Sequence, residues 1–296
     1  EIRIRDWSSD VCSSDLDYDQ TTNAPVTGTA TLSGVIGGDT VGLSGAVSGA
    51  YASAAAGINK PVTLSGLSLT GGDAANYELD LGAGLTGDVN RKAVTIATLD
   101  ADDKVFDGTA TATVSNDSLS GVLTGDNVSL DTSAATIAFV DANAATGKTV
   151  TATGLSLTGS EAANYVLTGA VPVMTADISR KALTITGLAI TAKEYDGNNT
   201  ATLGGVPVLS GMVTGATVLL NDSGVAASFA DKNIGTGKPV AVSGYTLDNG
   251  TTLAANYILS QPTGITGDIT ARTLTITGAT VADRAYDGTT DAPVTG

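Results

Sequence analysis

Short segments in which apolar and polar residues alternate recur along the whole chain, separated by turns rich in Gly, Asn and Asp. Two examples are Ala93-Val94-Thr95-Ile96-Ala97 and Leu183-Thr184-Ile185-Thr186. Alternation with a period of two is typical of a β-strand that buries one face. No segment has the 3.6-residue period of an amphipathic helix, although Asp73-Ala74-Ala75-Asn76 and its equivalents fit one helical turn. The pattern predicts an all-β protein.

A signature of a basic residue, an aromatic residue and Asp-Gly recurs at residues 104–109, 193–198 and 284–289, and an altered copy without the glycine lies at 18–21. Successive signature aromatics are 88, 89 and 91 residues apart. A fixed period of this length predicts tandem domains. The signature residues are Tyr18, Asp19, Phe106, Asp107, Gly108, Tyr195, Asp196, Gly197, Tyr286, Asp287 and Gly288.

Two further motifs keep the same period. The first is Ala-Ala-Asn-Tyr, which places Asn76, Tyr77, Asn164, Tyr165, Asn256 and Tyr257 at equivalent positions. The second is an aromatic residue followed nine positions later by a lysine, in the pairs Tyr51–Lys60, Phe139–Lys148 and Phe229–Lys238. Large aromatic side chains bury much apolar area, so one set of three per repeat is suited to anchor a small core.

The signature and these two motifs divide the chain into a leader at 1–16, a first repeat at 17–90 without its opening strand, full repeats at 91–179 and 180–270, and the start of a fourth at 271–296. The leader contains the only Trp and the only Cys, Trp7 and Cys12, and does not fit the repeat pattern. We interpret residues 1–16 as not native to the protein, and the whole chain as a fragment. Short strands with regular turns favour small Ig-like β-sandwiches in tandem; β-grasp-like repeats with one short helical turn are the alternative.

The signature itself is interpreted as a core anchor followed by a turn. A strand places the aromatic side chain in the core, and Asp-Gly then reverses the chain because Gly accepts positive φ and Asp bonds the turn backbone. A binding site formed by these residues is the alternative interpretation. A Lys–Asn isopeptide crosslink would need Lys104 or Lys193 beside Asn164 or Asn256.

Composition limits the chemistry. The chain has 296 residues, no His and a formal net charge of −16, which excludes imidazole-based catalytic triads and disfavours nucleic acid and anionic membranes as partners. No apolar run is long enough to insert into a membrane. We expect no enzyme activity and no cofactor. Calcium is the one metal considered, with Asp100, Asp102, Asp103 and Asp107 as weak candidates, because hard cations prefer several oxygen ligands.

The Lys-x-Tyr-Asp-Gly signature, the Gly-Thr-Gly-Lys-Pro-Val stretch at 235–240 and the Ala-Ala-Asn-Tyr motif resemble the YDG repeats of large bacterial surface proteins, which are similar to filamentous haemagglutinins and other secreted adhesins. The resemblance implies an extracellular or cell-surface location and a role as a structural stalk or adhesive array. The expected partners are neighbouring repeats, with host glycans or surface proteins as further partners. The alternative is that each repeat is itself a carbohydrate- or host-protein-binding module.

Overall fold

Strands dominate the computed structural model, which describes residues 2–3, 16–250 and 252–295. In these residues there is no α-helix, and the helical segments are 3-10 turns at Ala74–Asn76, Ala162–Asn164 and Ala254–Asn256. The all-β prediction is confirmed, and the single helical turn falls at the Ala-Ala-Asn motif of each repeat. Within the same residues, no helix has the length and apolar character required to cross a bilayer.

The first repeat is built on one long hairpin. Its strands and those before it are β1 (Ile2–Arg3), β2 (Leu16–Asp17), β3 (Asn23–Ala24), β4 (Gly42–Tyr51), β5 (Gly57–Thr70), β6 (Leu79–Asp80) and β7 (Thr86–Asn90). β4 and β5 pair antiparallel from Gly42–Thr70 to Tyr51–Val62. The five-stranded sheet has the order β2-β7-β5-β4-β3, and β1 pairs with β6.

The second and third repeats share one topology. The second contains β8 (Lys92–Ala101), β9 (Lys104–Val105), β10 (Val114–Ser120), β11 (Ser129–Asp131), β12 (Thr136–Phe139), β13 (Ala145–Thr153), β14 (Ser156–Thr158), β15 (Tyr165–Leu167) and β16 (Met174–Ser179). The third contains β17 (Lys181–Thr191), β18 (Lys193–Glu194), β19 (Thr202–Ser210), β20 (Val218–Asn221), β21 (Ala226–Phe229), β22 (Gly235–Ser243), β23 (Thr246–Asn249), β24 (Tyr257–Leu259) and β25 (Thr266–Thr270).

Each of these two repeats has a three-stranded sheet and a four-stranded sheet. The orders are β10-β8-β15 with β12-β13-β16-β9 in the second repeat, and β19-β17-β24 with β21-β22-β25-β18 in the third. The two-stranded sheets β11–β14 and β20–β23 take the place of the outer half of the long β4–β5 hairpin. Two sheets per repeat are compatible with the sandwich prediction.

The chain divides into two compact units. The first is Glu1–Lys104, Ala110–Asp141 and Thr146–Asp177, and the second is Val105–Thr109, Ala142–Ala145 and Ile178–Gly296. Two loops of the second repeat, 105–109 and 142–145, are therefore grouped with the third repeat. Each unit contains one complete junction between successive repeats.

Each unit has its own apolar cluster. In the first unit, the cluster combines residues of repeat one such as Tyr18 and Tyr51 with Val94 and Tyr165 of repeat two. In the second unit, Phe229, Val240, Val242, Tyr245 and Ile269 form the centre of the cluster. The core of the first unit thus continues from one repeat into the next.

The segment after Thr270 does not form the strand that its sequence predicts. Residues 274–277 repeat the opening pattern of β8 and β17, yet they are in no strand, and Leu274 and Ile276 are almost fully exposed. The equivalent strands β8 and β17 are covered by later strands of their own repeats. This segment instead forms only the short pair β26 (Thr280–Val281) and β27 (Val294–Thr295).

The interpretation of residues 1–16 as a non-native leader falls largely on residues 1 and 4–15, which lie outside the described residues, as do Trp7 and Cys12. Within the described part of this stretch, β1 pairs parallel with β6 and Leu16 pairs with Val89.

Candidate functional site at the junctions between repeats

The signature aspartate closes a tight turn in each copy. Asp107 Oδ1 accepts hydrogen bonds from the N–H of Thr109 at 2.8 Å and from its hydroxyl at 2.9 Å. The equivalent backbone bonds are Asp19–Thr21, Asp196–Asn198 and Asp287–Thr289. An aspartate that accepts from the backbone two residues ahead forms an Asx turn. The carboxylate is therefore committed to turn structure.

The residue after this aspartate has a left-handed backbone. Its φ is 82° at Gly108, 85° at Gly197 and 77° at Gly288, and Gln20 takes the same conformation with φ 69°. A non-glycine residue in this region is strained, and it persists where other interactions compensate. Replacement of the glycine in the first copy therefore leaves the turn unchanged, and the compensating contacts of Gln20 lie across a junction.

The lysine nine residues after the second aromatic braces the loop between them. Lys238 Nζ lies 2.5 Å from Asp231 Oδ1, and Lys148 Nζ lies 2.6 Å from Asp141 Oδ1. Lys60 donates instead to two backbone carbonyls of its loop, and burial lowers its pKa. A buried ammonium requires such partners. In each repeat this lysine therefore fixes the conformation of the loop.

The tyrosine of Ala-Ala-Asn-Tyr fixes a second loop through its hydroxyl. Tyr165 Oη donates to Asp126 Oδ2 at 2.5 Å and accepts from the Leu123 N–H at 3.0 Å. Burial, and then the hydrogen bond to Asp126, raise the pKa of Tyr165 to about 12. The same hydrogen bond lowers the pKa of the Asp126 carboxyl. Tyr77 makes the equivalent bonds to Asp39 and Ile36 in repeat one.

The same tyrosine receives the signature aromatic of the preceding repeat. Tyr18 contacts Tyr165 edge-to-face, with ring centroids 5.5 Å apart and an interplanar angle of 77°. Phe106 contacts Tyr257 in the same way, at 5.3 Å and 80°. All four side chains are buried. Edge-to-face contact is a favoured geometry for aromatic pairs, so both junctions are built on the same stabilising ring contact.

The asparagine before that tyrosine makes the second contact of each junction. Asn164 Oδ1 accepts from the Ala56 N–H at 3.0 Å, and Asn256 Oδ1 accepts from the Ala144 N–H at 2.8 Å. Asn256 is 3% exposed, and its Nδ2 donates to Asn143 Oδ1 at 3.1 Å. The two alanines occupy equivalent positions in the lysine-braced loop. Because a buried amide needs hydrogen-bond partners, the loop of one repeat is matched to the asparagine of the next.

The two junctions differ at one pair of positions. Gln20 Nε2 donates to Asp126 Oδ1 at 2.7 Å and to the Thr124 carbonyl at 3.2 Å. At the second junction the equivalent positions hold Gly108 and Ala216, which have no polar side chain. The first junction therefore has an additional polar link that the second cannot form.

A cavity of about 480 Å³ lies at the second junction. Residues 106–109 line one side of it, and Asn143, Val213, Leu253 and Asn256 are among the remaining lining residues. A volume of this order is within the range of small-molecule sites. The lining combines apolar surface with amide and hydroxyl groups and the carboxylate of Asp107, which also accepts hydrogen bonds in the Asx turn.

The four aspartates considered as calcium ligands bind separate donors. Asp102 accepts from the hydroxyls of Ser115 and Thr113, which lower its pKa. The other bonds are Asp100 with Asn116, Asp103 with the Asp177 N–H, and Asp107 with Thr109. In the part of the chain that the structure describes, no three acidic, His or Cys side chains form a group that could hold a metal ion.

The lysines and asparagines considered for an isopeptide bond also have separate partners. Lys104 Nζ donates to the Thr111 carbonyl at 2.9 Å, and Lys193 Nζ lies 2.8 Å from Asp196 Oδ1. Both lysines therefore brace their own signature segment, whereas Asn164 and Asn256 serve the junctions.

The junction residues recur with the period of the repeats, and a family model matches the chain with that period. The YDG domain model matches residues 9–84, 90–172 and 179–264. The chain belongs to the YDG domain family. Each match contains one signature aromatic residue and one Ala-Ala-Asn-Tyr turn. These are the two parts that meet at a junction between successive YDG domains. Comparisons with curated proteins and with solved structures find no match.

The sequence did not reveal that the aromatic columns of neighbouring YDG domains meet. The sequence predicts Tyr18 and Phe106 as core anchors of their own domains. An aromatic residue at the same position of each repeat indicates that the side chain is buried, but it does not indicate which residues cover it. One signal was present: Gln20 with Asp126 in one junction is replaced by Gly108 with Ala216 in the other. A single substitution pair of this kind does not identify a contact without the structure.

Proposed function

We propose that this chain is a structural segment of a bacterial cell-surface or secreted adhesin, in which tandem YDG domains form a stalk. The observation that carries the proposal is the junction: Tyr18–Tyr165 and Phe106–Tyr257 join successive domains through the same buried ring contact. A chain of domains with independent cores would not need such a contact. Domains that complete one another's core are suited to transmit load along a stalk.

Short connections support the same proposal. β7 ends at Asn90 and β8 begins at Lys92, and β16 ends at Ser179 and β17 begins at Lys181. One residue therefore separates the last strand of the first domain from the first strand of the second, and one residue likewise separates the second domain from the third. Long flexible linkers would allow the domains to move independently.

The proposal places the protein outside the cell and assigns it no catalytic step and no cofactor. The net charge of −16 keeps an extended acidic chain soluble and disfavours polyanionic partners. The carboxylates of the signature are used in Asx turns, and its aromatic rings are used in packing. The partners proposed are neighbouring YDG domains, followed by host glycans or surface proteins.

A second candidate function is recognition of a carbohydrate or host protein by the YDG domains themselves. The observation that favours it is the 480 Å³ cavity at the second junction, with Asn143, Thr214 and Leu253 in its lining. Sugars are bound by surfaces that combine amide groups with apolar contacts. Binding of the intact chain to a glycan array, lost in Leu253→Asp, would favour recognition over a passive stalk.

The stalk function is tested by placing the whole chain between a cell-surface anchor and a binding domain of known ligand. Capture of ligand-coated beads is then measured through a surface polymer layer of increasing height. The control is a Gly/Ser linker of equal length, whose ends remain much closer on average. We expect the YDG chain to support capture through layers that abolish capture by the linker; equal reach would contradict the proposal.

A further inference from the structure

Tyr245 is a buried tyrosine between β22 and β23 of the third YDG domain. It is 4% exposed and belongs to the apolar cluster that contains Phe229 and Val242. Gln261 fixes its backbone, since the Gln261 side chain accepts from the Tyr245 N–H at 3.2 Å and donates to the Tyr245 carbonyl at 2.9 Å. The hydroxyl itself makes no hydrogen bond among the residues that the structure describes. A buried tyrosine hydroxyl normally has a partner, so this one requires an explanation.

The same side chain lines a cavity of about 290 Å³ in the third domain. Asp222 lines it as well, and the Asp222 carboxylate makes no hydrogen bond within the described part of the chain. Burial, and then the charge of this carboxylate, raise the pKa of Tyr245. The phenol is therefore protonated at neutral pH and lies near the carboxylate. Because the two groups are not bonded to each other, a group that enters the cavity can bond to both.

The cavity is a recurring feature of these domains. The second YDG domain has a cavity of about 250 Å³ at the equivalent place. Val114 and Thr132 line it in the positions that Leu203 and Asp222 have in the third domain. The opening is therefore present in a domain that has another domain before it and another after it in the chain.

The third domain differs from the second at this cavity in three positions. One gains a hydroxyl, one gains a carboxylate and one loses its side chain: these are Tyr245 for Leu155, Asp222 for Thr132, and Gly204 for Ser115. A leucine at position 245 would fill the core without a hydroxyl, and an unpaired buried hydroxyl is destabilising. The tyrosine is therefore accounted for by a partner that enters the cavity. One water molecule occupies about 30 Å³, so the cavity has room for a larger partner.

The two polar groups define the chemistry of that partner. The phenol of Tyr245 has a proton to donate, and the ionised carboxylate of Asp222 can only accept. An ammonium ion donates but does not accept, so it would leave the phenol proton unpaired. A ligand hydroxyl does both, since it accepts through its oxygen and donates through its hydrogen. The pair is therefore suited to a neutral ligand that carries hydroxyl groups.

We propose that the cavity at Tyr245 and Asp222 binds a neutral ligand rich in hydroxyl groups, namely a hexose unit of a glycan. The Tyr245 hydroxyl donates to a sugar oxygen, and a sugar hydroxyl donates to the Asp222 carboxylate. Leu188, Leu203 and Val225 in the lining contact the C–H face of the ring. Small-molecule sites commonly combine an apolar lining with a few polar groups in this way.

This inference rests on the second candidate function, recognition of a carbohydrate, and assigns it to a site other than the junction cavity. The test is saturation-transfer NMR of the whole chain with the methyl glycosides of glucose, galactose and mannose, and with methylammonium as the cationic alternative. The measurement detects weak binding, so a low affinity does not hide the site. We expect binding of at least one methyl hexoside. Signal from methylammonium alone would overturn the proposed ligand class.

Tyr245→Phe is the decisive variant, because it removes the hydroxyl and keeps the ring. We expect it to weaken hexoside binding about tenfold without lowering the free energy of unfolding of the sugar-free chain, since the hydroxyl it removes is unpaired. Asp222→Thr, which introduces the residue of the second domain, should weaken binding to a similar extent. The matched control is Asp248→Thr, at an exposed carboxylate outside the cavity lining, which should leave binding unchanged.

The variants also separate this inference from the function on which it rests. Binding that is lost in Leu253→Asp and kept in Tyr245→Phe would overturn the inference and retain recognition at the junction. Absence of a signal from every hexoside would overturn it as well, and would leave a water molecule as the only partner of the hydroxyl. Equal affinity of the wild-type chain and Tyr245→Phe would have the same consequence for the Tyr245 site.

Discussion

Phe106 of the second YDG domain packs edge-to-face against Tyr257 of the third, with ring centroids 5.3 Å apart. The pair Tyr18–Tyr165 repeats this contact one domain earlier. Tyr18 and Phe106 are therefore each covered by the domain that follows. A YDG domain in this chain obtains part of its burial from its neighbour, and junction substitutions should affect two domains at once.

The junction asparagine provides the first prediction. Asn256→Ala removes the acceptor for the Ala144 N–H and the donor to Asn143 Oδ1. Loss of a buried hydrogen bond costs about 1–3 kcal/mol, so we expect a decrease of that order in the free energy of unfolding. Urea unfolding of the whole chain measures it.

The matched control for that substitution is Asn76→Ala, at the equivalent position of the first domain. Asn76 is exposed and its side chain makes no hydrogen bond within the described residues, so its replacement should leave the unfolding free energy unchanged in dilute solution. Equal destabilisation by Asn76→Ala and Asn256→Ala would show that the asparagine acts within its own turn rather than across the junction.

The pKa of Tyr165 predicts a loss of stability at high pH. Its value of about 12 lies above the ordinary value of 10, so the folded protein holds the phenol proton more tightly than the unfolded chain does. The resulting stabilisation is fully present below pH 10 and is lost as the pH rises through 12. A two-unit shift corresponds to an upper limit of about 3 kcal/mol.

Unfolding free energies measured between pH 9 and pH 12 check this prediction. Tyr165→Phe should reduce the decline, because a phenyl ring does not ionise, and the part that remains comes from Tyr18, Tyr77 and Tyr245, whose pKa values are also raised. Tyr286→Phe is the control, since Tyr286 is 96% exposed and should leave the decline unchanged. An equal decline in wild type and Tyr165→Phe would be inconsistent with the account of this hydroxyl.

The polar link of the first junction predicts a measurable coupling. Gln20 and Asp126 are joined by a 2.7 Å hydrogen bond, and both are accessible to solvent. A double-mutant cycle with Gln20→Gly and Asp126→Ala should give a coupling of about 0.5–1 kcal/mol. Gln20→Gly also relieves the positive-φ strain, so the single substitution alone should have a small net effect. Strict additivity would exclude a direct contribution from this bond.

Calcium is predicted to have little effect on thermal stability. Asp102 binds two hydroxyl groups, and Asp100 and Asp103 each bind a different donor, so their oxygens are not directed at one point. The midpoint of thermal unfolding of the whole chain should be the same in calcium and in chelator. A clear upward shift with calcium would restore these aspartates as ligands.

Strand content and repeat period were accessible from sequence because both depend on local pattern. Alternation in the segment 93–97 gives β8 directly, and the Ala-Ala-Asn motif gives its 3-10 turn. The segment 274–277 has the same alternation, yet it is exposed and forms no strand. Strand formation there depends on pairing partners that come later in a repeat, which local pattern does not contain.

The junctions were inaccessible because they join residues more than a hundred positions apart. Tyr18 and Tyr165 are separated by a whole domain, and the asparagine before Tyr165 looked like an ordinary turn residue. Burial of an aromatic can be inferred from its type, but the identity of its neighbour depends on how domains dock. Gln20 illustrates the point: its departure from glycine is explained only by Asp126 in the next domain.

The most direct test of the coupling between YDG domains is a double-mutant cycle on Phe106→Leu and Tyr257→Leu in the whole chain. Both substitutions keep an apolar side chain, so the cycle isolates the ring contact. We predict a coupling of about 0.5–1.5 kcal/mol from urea unfolding, with no coupling when Tyr286→Leu replaces Phe106→Leu. Additive effects of Phe106→Leu and Tyr257→Leu would contradict the account, because the domains would then be independent of one another.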